Sequence, residues 1–91
     1  MKATIYKKVS REKLARVLPE NLAELLPRII PEPATAIVFR DKVVSSRIAR
    51  KAIEHIGTDF GSSLVFAAHD FAPDATELAS AHGVVVIAAN G

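Results

Sequence analysis

Three largely apolar runs, separated by two stretches with helical periodicity, most limit what this chain can fold into. The runs cover residues 34–40, 64–68 and 84–89. A strand that is apolar on both faces must be buried on both faces, which is typical of a parallel sheet covered by helices. The stretches between the runs are long enough for right-handed crossovers. The pattern therefore predicts a β-α-β-α-β unit over residues 34–91.

Two amphipathic helices are expected to connect these strands. Ser45 or Ser46 can cap the first helix, and Gly57 is its expected end. Pro73 suits the first turn of the second helix, which Gly83 is expected to end. Spacings of three and four residues predict the buried face of the first helix, which consists of Ile48, Ala49, Ala52, Ile53 and Ile56.

Residues 1–33 are less regular and predict a strand, a kinked helical segment and a proline-rich connection. Residues 3–7 are short, β-prone and flanked by lysines, as is typical of an edge strand. Ser10 can cap a helix that begins at Arg11, but Pro19 inside the helical pattern predicts a kink or a fresh start. One apolar stripe is expected to persist across this break and consists of Leu14, Val17, Leu18, Leu22, Leu25, Leu26 and Ile29.

Length and composition exclude several classes of protein. The chain of 91 residues suits a single domain, and 49% hydrophobic content is enough for a core. The absence of cysteine excludes disulfides, thiolate metal sites and a cysteine nucleophile. No apolar stretch is long enough for a membrane span or a signal peptide, so we expect a cytoplasmic protein. The predicted fold is a three-layer α/β domain with a small, mostly parallel sheet of three to four strands flanked by helices.

Fifteen of the apolar residues are alanines, so the predicted core contains many small side chains and buries little apolar surface for its number of residues. A small sheet also leaves exposed edges, which a partner subunit can cover. We therefore expect a homo-oligomer, most simply a homodimer. The apolar stripe over residues 14–29 is the expected contact surface.

Charge is distributed unevenly along the chain. Residues 1–51 contain all twelve lysines and arginines but only five of the ten acidic residues. Residues 52–91 contain the other five acidic residues and no lysine or arginine. Such asymmetry favours an electropositive surface that can contact phosphate. Several cationic side chains lie just before the helix predicted after Ser45 or Ser46, or on that helix opposite its apolar stripe. These candidate nucleic-acid-binding residues are Arg40, Lys42, Arg47, Arg50 and Lys51. No aromatic residue lies among them to stack on bases, so contact without sequence preference is expected.

A second candidate site follows the strand at residues 64–68. His69 and Asp70 lie at its carboxyl end, where open α/β sheets usually bind ligands, and Asp74 follows one turn later. Imidazole and carboxylate groups can hold a divalent metal or share acid–base chemistry. Asp70 and Asp74 are equally well explained by the positive end of the following helix. Two alternatives to a nucleic-acid-associated module therefore remain. One is a small enzyme or a ligand-binding or metal-binding protein, and the other is a purely structural interaction protein.

Four segments in the second half of the chain follow a pattern found in a known family: residues 61–66 (GSSLVF), 69–75 (HDFAPDA), 78–79 (LA) and 82–87 (HGVVVI). With these segments, residues 37–91 resemble the C-terminal half of Mrr-type restriction endonucleases. In that family a strand, a turn with phenylalanine, a helix with the pattern A-x-x-L-A and a Gly-Val strand follow the catalytic motif. The resemblance implies a restriction-endonuclease-like scaffold and contact with DNA.

The catalytic residues of that family are missing from this chain. Members cleave DNA with an upstream aspartate and with a glutamate or glutamine two positions before a lysine, which together hold a metal and activate water. Here residues 36–40 read AIVFR, and the nearest upstream acid is Glu32, between two prolines. No catalytic residue can be carried over. We therefore expect a non-catalytic module without a metal or cofactor and without nuclease activity.

Overall fold

The computed structural model describes residues 3–56 and 63–90, and it confirms the predicted α/β class with a mostly parallel sheet flanked by helices. The helix end expected at Gly57 lies outside the described residues. In chain order the elements are β1 (Ala3–Val9), α1 (Arg11–Val17), α2 (Glu20–Ala23), β2 (Ala34–Phe39), α3 (Ser46–Ile56), β3 (Ser63–Ala68), α4 (Pro73–Ala81) and β4 (Val85–Ala88).

The four strands lie in the sheet in the order in which they occur in the sequence, β1-β2-β3-β4. Strands β2, β3 and β4 are parallel, and β1 is antiparallel to β2. The register of β1 shifts between Tyr6 and Val9, and Lys8 within this bulge has a φ of 51°. The amide of Lys8 donates to Oγ1 of the buried Thr35 over 3.4 Å. The N-terminal strand is therefore present, and it is an irregular edge strand.

One face of the sheet is covered by α3 and α4. Helix α3 contributes Ala49 and Ala52, and α4 contributes Ala75 and Ala79; all four alanines are fully buried. The side chains that face these alanines from the sheet and from the connection after β3 are large. Three phenylalanines among them form edge-to-face pairs, and the ring centroid of Phe39 lies 5.2 Å from that of Phe66 and 6.2 Å from that of Phe71. Small helix residues thus allow the helices to pack closely on large strand residues.

The opposite face is covered by α1, α2 and the segment that follows them. Here the helical layer supplies the large side chains, and the strands supply small ones such as Ala34, Ala36 and Ala67. The buried residues of the helical layer recur at every fourth position and are Leu14, Leu18, Leu22, Leu26 and Ile30. The fold therefore has the three layers that the sequence predicts.

The predicted apolar stripe over residues 14–29 is buried at Leu14, Leu18, Leu22 and Leu26 but is wrong at two positions. Leu25 is 50% exposed and Ile29 is 88% exposed, whereas Ile30, outside the predicted stripe, is buried. Helix α1 ends at Val17, and α2 covers only four residues. Because Pro19 and Pro27 interrupt the helix, only the row at every fourth position stays buried, and the neighbouring positions Leu25 and Ile29 turn to solvent.

The predicted helix ends that lie within the described residues are found where the sequence predicts them. Oγ of Ser10 accepts from the amide of Lys13, and Oγ of Ser45, rather than Ser46, accepts from the amide of Ile48. Helix α4 begins at Pro73. It ends in a Schellman motif, in which Gly83 has a φ of 70° and the amide of Val84 donates to the carbonyl of Ala79. Among the described residues, no helix is long and apolar enough to cross a membrane.

Candidate nucleic-acid interface

The outer surface of α3 is strongly cationic. Ala49 and Ala52 face the sheet, and Arg47, Arg50 and Lys51 lie on the exposed side of the same helix. Arg40 follows the end of β2, and Lys42 lies in the connection to α3; both are exposed. We call these five residues, Arg40, Lys42, Arg47, Arg50 and Lys51, the basic face. The first turn of α3 contains no acidic residue, so the positive end of the helix dipole adds to this charge.

The side chains of the basic face differ from Arg11 and Arg16 of α1 in their partners. Arg16 forms an ion pair with Glu12 over 2.6 Å, and Arg11 donates to the backbone carbonyls of Leu26 and Pro27. None of the five side chains of the basic face donates to or pairs with another described residue. Their charge is therefore directed to solvent and is available to an anionic partner.

Two carboxylates adjoin the basic face and limit its charge. Glu54 lies on the same side of α3 as Arg50 and Lys51, one turn further along. Asp41 lies between Arg40 and Lys42, and its Oδ1 atom is buried without a hydrogen-bond partner among the described residues. A buried acceptor without a donor is costly. No sequence pattern indicates this burial, because burial of one side-chain oxygen depends on how the connection packs.

A groove of about 260 Å³ lies between α3 and α4 at the margin of the basic face. Ile53 and Leu78 supply its apolar lining, and Arg50, Glu54 and His82 supply its polar groups. His82 caps the end of α4, and its Nδ1 lies 2.9 Å from the carbonyl oxygen of Leu78. Sequence reasoning missed the proximity of Arg50 and His82, because it arises only from the packing of α3 on α4.

The alternative site residues lie where the sequence places them, at the carboxyl end of β3 and the start of α4. His69 and Asp74 are exposed, and Asp70 is half-buried. Oδ1 of Asp70 accepts from the amide of Phe71 over 2.8 Å, so this carboxylate serves a local turn. Within the described ranges, no three His, Asp or Glu side chains are grouped so that they could hold a metal ion.

The topology places His69 and Asp70 between two strand connections that leave toward the same face. Open α/β sheets bind ligands in the crevice where neighbouring connections leave toward opposite faces. Here α3 and α4 follow β2 and β3 and cover the same face. The two connections are also joined: the amide of Val44 donates to the carbonyl of Asp70 over 3.0 Å, and the amide of Ala72 donates back to Val44 over 2.9 Å. The described strand ends are therefore bridged rather than open.

Comparison of the chain with models of protein families, with curated proteins and with solved structures finds no match. The resemblance to Mrr-type endonucleases therefore stays a prediction.

Proposed function

We propose that this chain is a non-catalytic module that associates with nucleic acid through phosphate contacts of its basic face. The observation that carries the proposal is the group of five exposed cations around the start of α3 whose side chains have no partner among the described residues. Arginine and lysine that bind phosphate release condensed counterions, which supplies affinity without sequence recognition. Arg47, Arg50 and Arg40 add the option of bidentate hydrogen bonds to phosphate oxygens.

The resemblance to Mrr-type endonucleases supports a scaffold that keeps DNA contact. In this proposal the chain lacks cleavage activity, since β2 carries neither the carboxylate nor the lysine of the family motif. The alternative, a small enzyme or ligand-binding protein that uses His69 and Asp70, receives less support because both strand connections leave toward the same face. A cytoplasmic location stays a prediction.

The experiment is titration of labelled duplex and single-stranded DNA with the protein at several salt concentrations. We expect affinity to fall steeply with salt. Each phosphate contact contributes about 0.9 to the slope of log K against log salt, so the triple variant Arg47→Ala, Arg50→Ala, Lys51→Ala should flatten the slope by up to about 2.7. Absence of binding to either DNA at low salt would overturn the proposal.

A second triple variant separates the basic face from overall charge. Lys7, Lys13 and Arg28 are exposed outside α3, and their replacement by alanine removes the same charge. We expect this control to retain most of the salt slope. Equal losses in both triple variants would assign the binding to net charge and remove the basic face from the proposal.

Removal of one carboxylate tests the same surface in the opposite direction. Glu54→Gln deletes the negative charge beside Arg50 and Lys51 while keeping the shape of the side chain. We expect tighter DNA binding from this variant, with the largest gain at low salt because the added attraction is screened. Weaker binding would show that Glu54 supports the interface rather than limiting it.

The expected homo-oligomer needs a surface other than the predicted stripe. Leu14, Leu18, Leu22 and Leu26 are buried against the chain's own sheet and are not available to a second copy. Self-association therefore remains a proposal that has to rest on a different part of the molecule.

A further inference from the structure

The two edges of the sheet differ in how they are protected against pairing. Strand β1 carries the exposed Lys7 and Lys8 and contains a bulge, which are both features that discourage another strand from joining an edge. Strand β4 has neither feature. Residues 84–89 read VVVIAA, without charge, proline or glycine, and their side chains are β-prone or small. Among the described strands, only β3 pairs with β4.

The hydrogen-bond ladder shows which backbone groups β4 leaves unpaired. The amide of Ala89 donates to the carbonyl of Ala68 over 3.2 Å, and Ala68 lies opposite Ala88 in the parallel register. Bonding residues alternate along a parallel strand, so Val85, Ile87 and Ala89 direct their amides and carbonyls toward β3. Val86 and Ala88 therefore direct theirs away from the sheet, as two donors and two acceptors at the free edge.

We propose that β4 pairs antiparallel with β4 of a second copy of this chain. The register that uses every outward group places Val86 opposite Ala88 of the second copy and Ala88 opposite its Val86. Each of these two pairs exchanges both hydrogen bonds, which gives four bonds in all, and Ile87 faces Ile87 of the second copy between them. The two sheets become one sheet of eight strands about a two-fold axis perpendicular to it.

Helix α4 leaves room for this arrangement. Leu78 lines the groove toward α3, and Ala75 and Ala79 face the sheet. Thr76 and Ser80 lie about 200° of helical rotation from Leu78, on the flank of α4 toward the β4 edge. Because the two-fold axis keeps both α4 helices on the same face, these flanks face each other. They present small, uncharged side chains, and partly buried Val86 and Ala88 are covered further by the second copy.

The oligomeric state and its dependence on this edge test the proposal. Sedimentation equilibrium of the full chain is expected to give a dimer mass at high micromolar concentration. Ala88→Pro removes an outward N–H from each copy without removing a bond to β3, and it should weaken the dimer at least about tenfold. A monomer mass for the unmodified protein at high micromolar concentration would overturn the proposal.

A matched pair of lysine substitutions tests the helix flank. Ser80→Lys adds a charge to the flank that faces the second copy, and Ala81→Lys adds the same charge one residue further, on the solvent side of α4. We expect Ser80→Lys to weaken the dimer and Ala81→Lys to leave it unchanged. Equal effects of the two variants would contradict the placement of α4 at the interface.

Amide hydrogen exchange of the unmodified protein keeps the test independent of any folding defect in a variant. In a monomer the Val86 and Ala88 amides are open to water and exchange quickly. In the proposed dimer they are protected, and the protection increases with protein concentration, while that of the Ala89 amide depends on it less. A dimer in which the Val86 and Ala88 amides still exchange quickly would rule out pairing through β4.

Discussion

The two helical layers cover opposite faces of one sheet with opposite distributions of side-chain size. In the layer of α3 and α4, alanines of the helices pack on phenylalanines of the strands and of the connection at Phe71. In the layer of α1 and α2, leucines of the helical segment pack on alanines of the strands. Each layer therefore pairs large side chains with small ones, which allows sheet and helices to pack closely. The core can be rich in alanine because the alanines of one element lie opposite large residues of another.

Truncation of a leucine in the α1 layer should produce the largest loss of stability. Leu14 is fully buried between α1 and the sheet, and the alanines opposite it are too small to fill a cavity. We expect Leu14→Ala to lower the free energy of unfolding by about 2–5 kcal/mol, measured by urea denaturation. Leu25→Ala, at a half-exposed position of the same segment, should cost less than about 1 kcal/mol. Similar costs at both positions would contradict the described packing of this layer.

Replacement of a buried alanine by a larger residue should lower the stability of the α3 layer through overpacking rather than through a cavity. Ala52 is fully buried against the sheet, so a leucine there has to displace α3 or adopt a strained rotamer. We expect Ala52→Leu to cost about 1–3 kcal/mol in the free energy of unfolding. Ala15→Leu, the same change at an exposed position of α1, is the control and should be close to neutral. A stabilising effect of Ala52→Leu would show that the layer contains unfilled space.

Removal of the serine caps should have smaller effects that compare the two layers directly. Ser10 and Ser45 each accept one backbone N–H at the start of a helix, over 3.2 Å and 3.3 Å. We expect Ser10→Ala and Ser45→Ala each to cost about 1 kcal/mol by denaturant titration. A negligible cost for Ser10→Ala alone would indicate that tertiary packing, rather than capping, holds the short helix α1.

The sequence predicted the α3–α4 half of the fold better than the α1–α2 half. The stripe from Ile48 to Ile56 lies in an unbroken helix, so the spacing of its apolar residues reports one buried face. In the other half, Pro19 and Pro27 divide the helical segment, and the exposed Leu25 and Ile29 show that the full width of a helical stripe does not continue across these breaks. Local patterns identify elements, whereas the direction of the chain after a break is decided by packing.

The candidate interface was predictable in composition but not in arrangement. Exposure of Arg47, Arg50 and Lys51 follows from their positions opposite the apolar residues of α3. That they form no ion pair with the described residues depends on the placement of acidic residues from other elements, which spacing does not reveal. The buried oxygen of Asp41 and the position of His82 beside Arg50 likewise depend on contacts between segments that are distant in the sequence.

The agreement between strand order and chain order also bears on how the protein is made. Each strand pairs with the strand that precedes it in the sequence, so a strand that emerges from the ribosome finds its neighbour already synthesised. Closing a short connection loses less chain entropy than closing a long one, and short separations between contacting residues favour rapid folding. The edge of the sheet that has already formed is available for pairing with the next strand. The fold can therefore assemble in the direction of translation, with β4 as the last of these four strands to join.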